Sequence, residues 1–278
     1  MCSMGELSNY IRDLAEGGLL AWPLQIAASE RFGVSVADVE RVALEQGILP
    51  ARYQRNRNTV SVSQQLILHR STVAVIGCGG LGGNVIEALA RLGIGSLLVI
   101  DQDVFEEHNL NRQILSSPAT LGRPKVEEAV RHVGRINPAV NVIPYHLAFS
   151  SSNGPGLLAS CDLAIDALDD ISTRLALAES CAEVGIPLIH GAIAGWYGQV
   201  TTILPGDDPL NTVFNVHGGG KGLELQLGNP SFTPVVVAGL QVAEACKLLL
   251  NVGAPLHGRA LLVDLLGMDF DAIAWGER

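Results

Sequence analysis

The 278-residue chain contains no C-x-x-C pair, and its five cysteines, Cys2, Cys78, Cys161, Cys181 and Cys246, are odd in number and scattered. That pattern excludes a disulfide framework and a tetrathiolate zinc site, and it fits thiols kept reduced. Positive charge is also short: 18 Lys and Arg stand against 28 Asp and Glu, a formal net charge of −10. A duplex-binding surface needs clustered cations, so no nucleic-acid partner is expected. No uninterrupted apolar run reaches the roughly 18 residues of a membrane span, so no membrane partner is expected either. The apolar patch GGLLAWPLQIAA, residues 17–28, follows acidic residues and is broken by Pro23. A secretory signal places basic residues ahead of such a patch. The expectation is a soluble, cytoplasmic protein.

What the chain does have is core-forming material, with 48% apolar residues. Residues 1–50 read as a separate helical extension. Ser35 and Asp38 mark a helix start before VADVERVALEQ, and Gly47 marks its stop. ASERFGVSVADVERVALEQG has a faint helix-turn-helix outline. Its second helix sets Asp38, Glu40 and Glu45 against Arg41, the wrong sign for a groove, so a docking or oligomerisation piece is the better reading. Residues 51–71 read as an arm and linker. From residue 72 strand-like and helix-like runs alternate through TVAVIG, NVIEALARLG, SLLVID, GRPKVEEAVRHVGRIN, VNVIPYHL, CDLAIDAL, STRLALAESCAEVG and IPLIHGAI. After residue 198, GQVTTIL, RALLVDLLG and MDFDAIAW read as antiparallel strands, with VVVAGLQVAEACKLLLNVG a buried helix. The fold class is therefore α/β: a Rossmann-like mixed sheet, parallel over residues 72–200 and antiparallel in 201–278, plus the helical extension.

The stretch VAVIGCGGLGGNVIEALARLGIGSLLVIDQD, residues 73–103, prepares a nucleotide site. Gly77, Gly79 and Gly82 form G-x-G-x-x-G, with Gly80 and Gly83 added. These allow a tight turn and let a phosphate approach N–H groups at a helix start. Asp101 ends the next strand, where a carboxylate accepts from ribose hydroxyls. NAD and ATP both fit this much. Asn109, Arg112, Gln113 and Lys125 follow, more phosphate-directed groups than hydride transfer needs. Cations beside a triphosphate make sense where charge builds up during reaction. In DLAIDALDDISTR, Asp166, Asp169 and Asp170 cluster after a strand. Carboxylates beside a triphosphate suit Mg²⁺. Asp169 is assigned to the metal, and Asp170 to a helix cap or the nucleotide.

Taken together, RYQRN, GCGGLGG, DQD, NLNRQI, GRPKVE, INP, DALDD, HGAIAGWYGQV and the helix with GLQVAEACKLL resemble the ThiF/MoeB/HesA adenylyltransferases, bacterial relatives of ubiquitin-activating enzymes. The resemblance covers residues 52 to about 278. It implies that ATP adenylates the C-terminal glycine carboxylate of a small ubiquitin-like (β-grasp) sulfur carrier ending in Gly-Gly, releasing pyrophosphate. By position it implies Gly77, Gly79, Gly80, Gly82, Asp101, Asp103, Gln113 and Asp170 around ATP. Asn109, Arg112 and Lys125 would surround the phosphates, with Asp169 on Mg²⁺. Arg55 of RYQRN would reach the neighbouring subunit's ATP in a homodimer, and residues 201–278 would bind the carrier. Alternatives are an adenylating relative acting on a peptide or a tRNA nucleoside, and an NAD-dependent oxidoreductase.

The sequence departs from the family twice. Members that bind zinc carry two C-x-x-C pairs, whereas the first position here reads DDPLNTVF and the tail has no cysteine, so no zinc site is expected. Members that go on to a thioester carry a cysteine before the last long helix, where this chain reads HGGGKGLELQLGNPSFTP. The reaction is expected to stop at the acyl-adenylate. Cys181 and Cys246 lie in apolar helical patterns and read as core thiols.

Overall fold

Continuous apolar runs such as TVAVI and SLLVI mark strands buried on both faces. In the computed structural model, which describes residues 4–207 and 227–274, they become the centre of an eight-stranded sheet. The extension comes first: helices α1 (Met4–Leu14), α2 (Trp22–Phe32) and α3 (Val36–Glu45), and a short parallel pair, β1 (Leu19–Leu20) with β2 (Leu49–Pro50). Its core is Leu7, Ile11, Leu20, Ala28, Val39, Val42, Ala43 and Ile48. Ser35 caps α3 by accepting from the Asp38 N–H, and Gly47 beyond its end has φ +77°.

The main body runs α4 (Val62–Arg70), β3 (Thr72–Ile76), α5 (Gly80–Leu92), β4 (Ser96–Ile100), α6 (Lys125–Ile136), β5 (Asn141–Tyr145), α7 (Gly154–Leu158), β6 (Leu163–Asp166), α8 (Ile171–Val184), β7 (Leu188–Ala194), β8 (Tyr197–Ile203), α9 (Phe232–Leu250), β9 (Arg259–Asp264) and β10 (Asp269–Ala274). Sheet order is β10-β9-β8-β7-β6-β3-β4-β5. β5, β4, β3, β6 and β7 are mutually parallel, and β8, β9 and β10 are antiparallel additions. One face is covered by α5, α6 and α9 through Val85, Leu89, Val126 and Val237. The other packs α7 and α8 through Leu158, Leu177 and Cys181. The mixed sheet agrees with the fold class read from the sequence.

Two expectations need correction. The segment 51–71 is not simply a linker, because a 3₁₀ turn spans Ala51–Tyr53 and α4 occupies most of the rest. Ser61 and Gln64 form a reciprocal capping box, worth about 1 kcal/mol to the helix, and Leu68 is buried. Helix α9 is less enclosed than its sequence suggests, since Val235 is 55% exposed. It has the length and apolar content of a span, yet it packs on α5 and β7 and buries Gln241 and Glu244. The stretches 208–226 and 275–278 lie outside the described residues. They contain most of the first zinc position and of the loop searched for a thioester cysteine.

Candidate active site

β4 lies on one flank of β3 and β6 on the other, so the chain reverses direction across the sheet at β3. Open α/β sheets bind ligands in the crevice at such a point, beyond the carboxyl ends of the strands. A cleft of about 210 Å³ lies there.

The glycines divide into two jobs. Gly77 has φ +96°, and a Cβ there would sit 2.5 Å from the Ala167 carbonyl oxygen. A Cβ at Gly82 would sit 1.8 Å from the Gly77 oxygen. These two make the turn tight, and Gly82 is buried within the fold and does not line the cleft. A Cβ at Gly79 would first meet the Gln113 amide at 3.6 Å, and one at Gly80 the Arg112 stem at 3.4 Å. Both glycines line the cleft at the start of α5, where backbone N–H groups and the helix dipole favour an anion.

Asp101 and Asp103 enter after β4. Asp101 Oδ2 accepts from Cys78 N–H at 2.7 Å and Oδ1 from Asp103 N–H at 2.8 Å. Each oxygen keeps a lone pair for a ribose hydroxyl. Burial pushes the Asp101 carboxyl above its ordinary value, opposed by Lys125 and these two N–H groups. Lys125 opens α6 with its side chain 8% exposed, and its Nζ lies 2.9 Å from Asp103 Oδ2. Arg112 Nη1 donates to the His108 carbonyl at 3.0 Å and Asn111 Oδ1 at 2.9 Å. Gln113 is 6% exposed, and its buried Oε1 has no protein donor, which suits a ligand N–H or O–H.

Asp169 and Asp170 come from the turn between β6 and α8, and both line the cleft. Asp170 caps α8: its Oδ2 accepts from Thr173 N–H at 2.8 Å and from the Ser172 hydroxyl at 2.6 Å. The Ser172 hydroxyl, then Thr173, hold its carboxyl below the usual range. Asp169 is exposed to the cleft. Among the described residues no cluster of three or more His, Cys, Asp or Glu could hold a metal unaided. Mg²⁺ uses one or two carboxylates and completes its shell with phosphate oxygens and water, so Asp169 beside a nucleotide fits that ion.

Two expected residues lie elsewhere. Asn109 is 4% exposed and does not line the cleft. Its Oδ1 accepts from Glu106 N–H at 3.0 Å, and its carbonyl accepts from the N–H groups of Arg112 and Gln113. It shapes the turn that delivers those two, and its own side chain stands behind the cleft lining. Arg55 is exposed beyond the 3₁₀ turn and takes no part in its own chain's cleft.

The structure adds Arg174, whose side chain is 9% exposed and lines the cleft while Nε donates to the Leu168 carbonyl at 3.1 Å. Its signal was in DDISTR: four residues past the cap Asp170, it sits one turn along α8. Leu147, Ala148 and Phe149 give the cleft an apolar side suited to a nucleobase. No sequence signal marked them, because they follow β5 as an ordinary strand end. No cysteine lines the cleft among the described residues. Burial pushes Cys181 up to about 12 and Cys161 up to about 11, which suppresses their thiolates.

The profile of the ThiF family matches residues 53–278. The chain is 37% identical over 229 residues to the SAMP-activating enzyme E1 of Haloferax volcanii, covering 81% of this chain and 84% of that one. It is 33% identical over 219 residues to the sulfur carrier protein adenylyltransferase of Thermus thermophilus, covering 73% and 78%. The chain spans about half the length of other relatives it matches, named adenylyltransferase and sulfurtransferase. Among solved structures, Escherichia coli MccB with ATP superposes with a TM-score of 0.68 at 22% identity, covering 91% of this chain and 82% of that chain, a likeness of fold. With most of its length matched by the family profile, and with these relatives, the chain belongs to the ThiF family and is an adenylyltransferase.

Proposed function

We propose that this enzyme uses ATP to adenylate the C-terminal glycine carboxylate of a small β-grasp sulfur carrier ending in Gly-Gly. The observation that carries the reading is the composition of the cleft. A glycine turn at the start of α5 faces Lys125, Arg112, Arg174 and Asp169, with no Ser–His or Cys–His pair among the described lining. A C-terminal carboxyl ionises near pH 3.5 and is already an anion at neutral pH, so it needs no general base. Its oxygen bonds to the α-phosphorus as the bond to the β-phosphate oxygen breaks, and pyrophosphate leaves. The chain's task is to bring anions together and to offset charge on the leaving group, which suits fixed cations. Mg²⁺ held by Asp169 would add charge neutralisation on the phosphate oxygens.

The name of the Thermus relative, a sulfur carrier protein adenylyltransferase, supports a carrier protein as substrate. The adenylyltransferase assignment sets aside the oxidoreductase alternative. The reading includes a cytoplasmic homodimer in which Arg55 serves the neighbouring site, and a reaction that ends at the acyl-adenylate. The test is ATP–pyrophosphate exchange in the presence of such a carrier. Arg112→Ala and Lys125→Ala should each lower it by on the order of a hundredfold, as for other lost transition-state charge contacts. Wild-type exchange in either folded variant removes that residue from the site.

A further inference from the structure

Beneath the cleft lies a polar assembly that the proposed chemistry does not use. Asp166 ends β6 and is wholly buried, and His190 on the adjacent β7 is 1% exposed. The two are register partners, so their side chains leave the same face of the sheet. His190 Nδ1 lies 2.6 Å from Asp166 Oδ2, and its Nε2 lies 3.1 Å from the amide nitrogen of Gln199 on β8. An amide nitrogen only donates, so Nε2 accepts and the proton sits on Nδ1, where it is donated to the carboxylate. Burial holds His190 below its ordinary value, favouring this neutral ring.

The other carboxylate oxygen faces the reaction side. Asp166 Oδ1 accepts from Leu168 N–H at 2.9 Å, and the Leu168 carbonyl accepts from Arg174 Nε at 3.1 Å. Arg174 Nε also stands 3.6 Å from Asp166 Oδ2. The main chain is tied as well. The Asp166 carbonyl accepts from Gln241 Nε2 of α9 at 2.8 Å, and Ala167 N–H donates to Ile76 at 3.0 Å beside the glycine turn. Three residues beyond Asp166 stands Asp169. Neither Asp166 nor His190 lines the cleft, so neither touches a substrate there.

We infer that Asp166 and His190 are positioning residues whose buried pair sets the place of Asp169 and Arg174 in the cleft. With His190 holding one oxygen, the carboxylate keeps the rotation that points the other at Leu168 N–H. Without that hold Asp166 turns, Leu168 loses its acceptor, and the segment 167–170 relaxes. Partners that orient metal-side carboxylates typically cost 10- to 100-fold in metal affinity when removed. The inference rests on the reading of Asp169 as the Mg²⁺ carboxylate.

The experiment compares wild type, His190→Leu and His190→Asn in the full-length enzyme. Three quantities are read: the Mg²⁺ concentration for half-maximal exchange, ATP affinity in EDTA, and amide hydrogen exchange across 167–170. His190→Leu should raise the half-maximal Mg²⁺ by tenfold or more, deprotect 167–170 and leave ATP affinity in EDTA within about twofold. His190→Asn, whose amide nitrogen takes the place of Nδ1–H, should restore both readouts to within about threefold of wild type. A folded His190→Leu with wild-type Mg²⁺ dependence and loop protection overturns the inference. So does equal loss in both variants with weakened ATP binding, the result of a general packing defect. A wild-type enzyme indifferent to Mg²⁺ instead removes Asp169 from the metal, and loop protection then decides the positioning role by itself. Should His190→Leu not fold, ¹⁵N NMR of the wild-type ring decides: the proton on Nδ1 supports the inference, and the proton on Nε2 overturns it.

Discussion

Glu40 should make the protein less stable as pH rises through neutrality. It belongs to α3 of the extension and its side chain is wholly buried against the main body. Arg52 Nε stands 3.3 Å from its Oε1, and Tyr53 OH donates to its Oε2 at 3.1 Å. Asn137 of the main body donates to that Tyr53 oxygen at 2.9 Å and to the Ala90 carbonyl at 2.7 Å. Arg52 also stacks on Trp22, its guanidinium 4.5 Å from the ring centre. Burial outweighs the pull of Arg52 and lifts the Glu40 carboxyl from 4.5 to about 7. Below pH 4.5 both folded and unfolded chains carry the neutral acid, and the stabilisation is complete. As pH climbs from 4.5 the unfolded carboxyl ionises first, and stability falls until about pH 7, where the folded carboxyl follows. The whole loss is about 3 kcal/mol, of which about 2 falls between pH 5.5 and 8. Glu40→Gln keeps the acceptor for Tyr53 and removes the titration. Urea unfolding of both proteins across that range should show wild type losing about 2 kcal/mol relative to the variant. A constant difference would refute the reasoning. A wild type that gains on the variant as pH rises would mean that Arg52 holds an ionised carboxylate.

Other predictions follow from the same geometry. Gly82→Ala forces a Cβ onto the Gly77 carbonyl and should cost about 3 kcal/mol together with ATP binding, measured by denaturation and calorimetry. Gly134→Ala, in α6 with open space around it, should gain about 0.5–1 kcal/mol in the same unfolding assay. A variant with all five cysteines replaced by Ser or Ala should keep exchange activity provided it folds, and the wild-type protein should contain no stoichiometric zinc by elemental analysis. Arg55→Ala and Asp169→Ala, each nearly inactive alone, should recover roughly a quarter of full activity after subunit exchange if Arg55 acts across a dimer. No recovery with verified exchange returns Arg55 to a local role.

The nucleotide half was legible because its signals are local. Gly77, Gly79 and Gly80 follow a strand and open a helix, Asp101 ends the next strand, and Lys125 and Asp170 stand at helix starts. What escaped the sequence depends on pairing across the sheet. The partnership of Asp166 with His190 is set by strand register, which joins positions 24 apart in the chain. Arg52 and Tyr53 of RYQRN read as part of an arm, yet their contacts are Glu40, 12 and 13 residues earlier, and Asn137, 85 and 84 later. The turn-shaping role of Asn109 escaped for a related reason. Sequence order sets it beside Arg112 and Gln113, but its amide is turned into the bend, to Glu106 N–H, while the Arg112 and Gln113 residues line the cleft. α4 went unread because nine residues with mixed polarity carry too little periodicity, although its Ser61–Gln64 box was there to be seen.

The central claim is that the group that attacks the α-phosphate of ATP is a carrier's C-terminal carboxylate. The most direct measurement is ATP–pyrophosphate exchange with one Gly-Gly-ending carrier in two forms, the free acid and the C-terminal amide. Exchange is expected with the free acid and none above background with the amide, which differs only in lacking the nucleophile. Equal exchange with both forms, or none with either while a peptide amide or tRNA supports it, would contradict the account.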